Sequence, residues 1–330
     1  MALPWNKQVL ASYWIPWVGI GQNPMEKVVV PLTDIGKYVL PTGQPQTNIV
    51  FLGFATFTGT PQNFDPPYIS ISDDLVAQMT QQPGQRETNV QYLQSLGIKV
   101  LLSVQGYNTD GRPGMGWDGV PPGKRNDFAL WVKTAIIDKY GLDGIDIDNE
   151  FSNLRSDPQS FVDTVSVLRG YLPNQFLSKA LWRDTDYFTT PVTGGQVYLS
   201  SLLDFGATMG YGNGYQDQIS GVEEYVTLKS GSLNVGMKPT QLCIGVQAGP
   251  PEVDWMTAIG ETGQLARWVV QNSYLGMMLF TFPQDIQQWT HWPQNSPGYG
   301  FPNPNDHEWQ KAIIAGIWGA SGSAAGQGQY

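Results

Sequence analysis

Residues 143–150 read Asp-Gly-Ile-Asp-Ile-Asp-Asn-Glu, a concentration of acids in an otherwise charge-poor chain. Side chains at i, i+2 and i+4 of a strand share one face. Asp146, Asp148 and Glu150 therefore line up on one side, while Ile145 and Ile147 point to the other. Same-face Cα atoms are about 6.6 Å apart, close enough for carboxylates to couple in a poorly hydrated site. Coupled acids raise one another's pKa, which keeps one of them protonated near neutrality, as a general acid must be. A hard-cation site and a solvated acidic edge are the competing readings. Cation loops tend to spread their oxygen ligands along Gly- and Asn-containing turns, whereas these acids alternate with isoleucine. Asp143 has the opposite parity and reads as structural.

Such a ladder needs a strand to carry it and a barrel or sheet to bury its apolar side. Eight short apolar runs recur along the chain, at 9–15, 49–56, 100–104, 144–148, 176–182, 205–211, 242–247 and 277–282. Amphipathic helical stretches lie between them. In 128–140, Phe128, Trp131, Val132, Ala135 and Ile136 form one face, and Gly141 ends the helix. Phe161, Val165 and Leu168 follow the N-cap pair Asp157–Pro158, and a last helix carries Trp309, Ile313 and Ile317. This alternation predicts an α/β fold, a single (β/α)8 TIM barrel over residues 1–319 with a flexible Gly/Ser/Ala/Gln tail at 320–330. The loops after the strands would then form the ligand face. Their rings Trp117, Trp182, Trp289 and Trp292 can either stack on a ligand or pin the loops.

The chain has 330 residues, a net charge of −10, a pI near 4.6, only 14% charged residues and 12 Trp. The acidic balance argues against nucleic acid and anionic membranes as partners, and no apolar run approaches the length of a membrane span. Few charges with many rings suit a neutral polar ligand, and a monomer is expected. The single cysteine, Cys243, reads as a small buried hydrophobe. His291 and His307 read as surface or packing residues. Neither metal nor organic cofactor is expected. The N-terminal stretch, interrupted by Pro16 and several Trp, does not read as a secretion leader. A secreted or extracellular protein is expected from composition, with a cytoplasmic one left open.

The acid stretch fits the DxxDxDxE signature of glycoside hydrolase family 18. The longer strings KYGLDGIDIDNEF and LGIKVLLSVQG resemble the endo-β-N-acetylglucosaminidases of the endoglycosidase H type. The resemblance implies a (β/α)8 barrel and a retaining mechanism in which the substrate's 2-acetamido group attacks the anomeric carbon. It implies Glu150 as general acid and base, Asp148 as the group that orients the acetamide, and Asp146 as the partner of Asp148. Met209-Gly210-Tyr211 fits the family's M-x-Y pattern, making Tyr211 a hydrogen-bond donor to the acetamide. Ser103-Val104-Gln105-Gly106 stands where chitinases have S-x-G-G, with Ser103 as packing support and Gln105 near the sugar. Phe280 stands where chitinases place a tryptophan under the reactive sugar. Asn149 and Gly212 also depart from chitinases. The substrate-binding set is then Gln105, Met209, Phe280, Trp182, Trp289 and Trp292, and the expected partner is a carbohydrate or glycoprotein. The expected activity is cleavage of the GlcNAc-β-1,4-GlcNAc core of N-linked glycans. A chitinase, or a chitinase-like lectin, is the alternative.

Overall fold

The computed structural model describes residues 8–18, 26–27, 30–106, 115–149, 157–249, 256–286 and 307–319. Eight parallel strands make the frame: β1 (Val9–Trp14), β2 (Ile49–Phe57), β3 (Lys99–Gln105), β4 (Gly144–Asp148), β5 (Phe176–Leu181), β6 (Phe205–Thr208), β7 (Leu242–Gln247) and β8 (Gly276–Phe280). Each pairs with its neighbour in chain order, and β1 pairs with both β2 and β8, which closes the sheet into a barrel. Helices α1 (Asp73–Met79), α2 (Asn89–Ser95), α3 (Arg125–Trp131), α4 (Pro158–Tyr171), α5 (Thr185–Thr189), α6 (Leu199–Leu202), α7 (Tyr215–Thr227) and α8 (Ile259–Gln271) stand between the strands in sequence, and α9 (Phe282–Ile286) and α10 (Glu308–Ile317) follow β8. This is the (β/α)8 architecture that the alternating pattern implies.

Strand alternation divides the core into two layers. Val9, Ala11 and Tyr13 of β1 join Phe176, Phe205 and Cys243 inside the barrel. Leu10, Val50, Ile145, Ile147 and Ile244 pack outward against the helices. Cys243 is fully buried, and burial pushes its thiol pKa up. Four strands end earlier than the apolar runs suggest, β1 and β5 by one residue and β6 and β8 by more. β6 stops at Thr208, and β8 stops at Phe280, so that Phe282 turns into α9 and joins the outer layer.

Local sequence explains the helix ends that flank the ladder. Asp157 Oδ1 accepts the Ser160 N–H at 2.9 Å, capping α4 with Pro158 in its first turn. The helix begun by α3 runs on through a π-helical stretch, Val132–Asp138. It ends at Gly141, whose φ of 66° suits glycine.

Among the polar groups that brace the outer layer are those around Lys179 and Asp285. Lys179, on the outward face of β5, is 1% exposed. Its ammonium pairs with Asp184 and donates to the Ala180 carbonyl at 2.7 Å, while the Tyr225 hydroxyl donates to Asp184 at 2.6 Å. Asp285, on α9, accepts the N–H groups of Trp309 and Gln310 at 3.0 and 2.8 Å, tying the first turn of α10 to the segment that follows β8. His307 packs there as an aromatic neighbour of Tyr38 and Phe282; His291 lies outside the described residues.

Candidate active site

Asp146 and Asp148 both face the barrel interior and both are 1% exposed, so a solvated acidic edge does not describe them. Asp146 lies one layer below the mouth. The Tyr13 hydroxyl (β1) and Ser103 hydroxyl (β3) each donate to Asp146 Oδ2 at 2.7 Å, and Ser178 (β5) donates to Oδ1 at 2.6 Å. Burial pushes the Asp146 pKa above the ordinary carboxylate range, and the three hydroxyl donors pull it back only in part. Tyr13, buried beside these acids, is held far above the usual phenol range and so stays a donor.

Asp148 ends β4 at the floor of an open cavity, with its backbone carbonyl accepting the Gly106 N–H at 2.7 Å. Asn149 turns the other way, and its amide donates to the Tyr187 hydroxyl at 3.2 Å. It fits because Gly106 and Gly116 lack side chains: a Cβ on either would lie 2.5 or 3.2 Å from Asn149 Oδ1. Glu150, the next residue, lies outside the described residues, as do Trp289 and Trp292. Asp143, at the far end of the strand, bonds to Lys99 Nζ (2.9 Å), Gln94 (2.8 Å) and the Val100 N–H (3.0 Å), a purely structural setting.

The cavity at the C-terminal mouth has a volume of about 290 Å³ and is lined by Tyr13, Phe54, Asp148, Trp182, Met209, Tyr211, Gln247 and Phe280. Phe280 stacks with Tyr211 (centroids 5.8 Å, 27°) and more distantly with Phe54 (6.4 Å, 28°). Tyr211 follows β6 and keeps its inward alternation with Phe205, Ala207 and Met209. Its ring needs the space left by Gly245, whose added Cβ would sit 3.1 Å from Tyr211 Cε1 and 1.9 Å from the Thr208 carbonyl oxygen. The Tyr211 hydroxyl donates weakly to Met278 Sδ at 3.9 Å.

Of the sugar-binding candidates, Trp182, Met209 and Phe280 reach this cavity. Gln105 pairs in register with Asp148 but is not among the lining residues. Trp117 is a pinning residue: it is fully buried, donates its indole N–H to the Val104 carbonyl at 2.9 Å, and packs on Phe57 and Phe128. Sequence reasoning missed three lining residues. Tyr13 and Gln247 share the inward parity of Val9 and Cys243, so strand alternation alone could have found them. Phe54 could not be found that way. The β2–β3 register shifts between Leu52 and Ala55, a bulge that turns Phe54 inward where strict alternation would aim Gly53 and Ala55.

No protein-family model matches the chain. It is 30% identical over 144 residues to an endo-β-N-acetylglucosaminidase of Flavobacterium sp. (strain SK1022), covering 42% of this chain and 43% of that protein. The chain is similar to endo-β-N-acetylglucosaminidases. With endo-β-N-acetylglucosaminidase F1 of Elizabethkingia meningoseptica it shares 28% identity over 194 residues, 56% of this chain and 53% of that one. The chain thus spans about half the length of the curated relatives it matches. Among solved structures, a chitinase from Bacteroides thetaiotaomicron shares the fold with a TM-score of 0.62 at 11% identity, over 98% of this chain and all of that one.

Proposed function

We propose that this protein is a retaining endo-β-N-acetylglucosaminidase that cleaves the GlcNAc-β-1,4-GlcNAc core of N-linked glycans by substrate-assisted catalysis. One arrangement carries the reading: Asp148 stands in an aromatic-walled cavity directly above a buried, triply hydrogen-bonded Asp146. A cavity of about 290 Å³, near the lower bound of about 300 Å³ for small-ligand sites, has room for one sugar ring. Aromatic walls suit the C–H faces of that ring, and the carboxylate suits its acetamido N–H. The similarity to endo-β-N-acetylglucosaminidases supports the choice of linkage.

In this mechanism the substrate's acetamide oxygen attacks the anomeric carbon as the glycosidic C–O bond breaks. Glu150, by its place in the signature, gives its proton to the leaving oxygen. Asp148 accepts a hydrogen bond from the acetamido N–H and stabilises the positive charge of the oxazolinium, while the Tyr211 hydroxyl orients the acetamide. Asp146, biased by burial toward its protonated form, shares a proton with Asp148 and limits repulsion between the two acids. Water then attacks the anomeric carbon from the face the leaving group vacated and passes its proton to Glu150, so configuration is retained overall.

The test is mass spectrometry on a high-mannose glycoprotein and a chitin oligosaccharide, with Glu150→Gln as control. The wild type should leave a single GlcNAc on the protein, and the variant should be roughly 10²–10⁴-fold slower. Near-normal turnover by Glu150→Gln overturns the assigned roles. Cleavage of the chitin oligosaccharide alone makes the protein a chitinase, and binding without cleavage of either makes it a lectin.

A further inference from the structure

The mechanism above leaves one polar side chain of the cavity without a task. Gln247 ends β7, inward-facing by alternation with Cys243 and Gly245, and is 6% exposed. Its backbone is fixed twice by Thr257: the Gln247 N–H donates to Thr257 Oγ1 at 3.2 Å, and its carbonyl accepts the Thr257 N–H at 3.0 Å. Thr257 is in turn held by the Trp309 indole N–H, which donates to its carbonyl at 2.7 Å. On this braced backbone the side-chain amide lines the cavity and makes no hydrogen bond to any described residue. The amide thus faces open cavity space with its donors and acceptor available to a ligand, which an apolar side chain of the same length would not offer.

We infer that Gln247 is a specificity-determining residue whose amide hydrogen-bonds a ring hydroxyl of the sugar seated over Asp148. An amide offers two N–H donors and a carbonyl acceptor with no net charge, which matches a hydroxyl that both donates and accepts. Asp148 disfavours an anion in the same space. The inference rests on the proposed reading of the cavity, in which Asp148 and Tyr211 take the acetamido group. Gln247 lies on the next part of the rim, between Tyr211 after β6 and Phe280 of β8, with which it is in register. It therefore meets a different edge of the ring. An internal 4-linked GlcNAc carries free hydroxyls at C3 and C6, and one of these is the partner of Gln247.

The test uses Gln247→Met, which keeps the chain length and removes the donors and acceptor. Both proteins are assayed on a chitobiose-core glycopeptide and on analogues lacking the C3 or the C6 hydroxyl of the cleaved GlcNAc. The variant should lose about 10–100-fold in kcat/KM on the parent substrate, with an unfolding midpoint close to that of the wild type. One deoxy analogue should cost the wild type a similar factor and the variant nothing further. Equal deoxy penalties in both proteins overturn the inference, as does an unchanged kcat/KM. If the wild type does not cleave the glycopeptide, the proposed activity fails separately and calorimetric titration with chitobiose decides. Weaker binding by Gln247→Met then upholds the role of the amide, and equal binding, or none by either protein, overturns it.

Discussion

Asp285 offers a sharp test of how this barrel handles a buried charge. Its carboxylate is 1% exposed and accepts two N–H groups at the start of α10, an arrangement that favours the ionised form. Burial outweighs both bonds and pushes its pKa from the ordinary 3.8 to about 7. The folded chain therefore keeps a proton that the unfolded chain loses. Below about pH 4 both states are protonated and the contribution of Asp285 is fully favourable. From there to pH 7 stability falls by about 1.4 kcal/mol for each pH unit, about 4 kcal/mol in all, and then levels off. Asp285→Asn removes the titration and keeps an acceptor for one of the two N–H groups, at a cost of about 1 kcal/mol for the other. The variant should be slightly less stable than the wild type at about pH 4 and more stable, by roughly 3 kcal/mol, at about pH 8. Urea denaturation of both proteins across this range measures the difference. A stability difference that does not change with pH, or that changes with the opposite sign, refutes the reasoning.

Three further perturbations probe the site and its frame. Ser178→Ala removes one of the three donors that hold the Asp146 pKa down, so that pKa should rise further. Because the working pair keeps one proton, the limb of the kcat/KM profile that reports loss of that proton should move to higher pH, and unmoved limbs would separate Asp146 from the reaction. Lys179→Met leaves Asp184 buried beside Tyr225 without its cation and should cost about 3–5 kcal/mol, read as a lower urea midpoint; a change under about 1 kcal/mol would mean that the pair is solvated. Gly245→Ala forces a methyl group against the Thr208 carbonyl and the Tyr211 ring. It should destabilise the fold by about 3 kcal/mol or more, and a stable, active variant would show that the Tyr211 ring has room to move.

The eight strands were legible because their apolar runs are separated by helical periodicity, and the inward aim of Asp146 and Asp148 was legible because a strand alternates strictly. Legibility ended where alternation fails or where burial alone is uninformative. Phe54 depends on a bulge, which leaves no period-2 mark in the sequence. For Tyr13, in the run Val-Leu-Ala-Ser-Tyr-Trp, alternation gives the inward aim, and only three-dimensional closure reveals its partner, Asp146. The π-helical stretch within 128–140 is likewise invisible, since its apolar positions still fall on one broad face. Trp117 and Trp182 are alike as loop aromatics in the sequence. Only the indole bond of Trp117 to Val104 and the position of Trp182 at the cavity separate them.

The three hydroxyls around Asp146 come from residues 133, 43 and 32 positions away in the chain. One arrives from β1, which is itself held on both sides, by β2 and by β8. Such a cradle cannot be half built. The aspartate has its full set of donors only when β1, β3 and β5 have all been brought around β4, so the chemistry of this barrel rests on contacts of long sequence separation. Recovery of turnover on refolding therefore reports these long-range contacts, and return of helical signal does not.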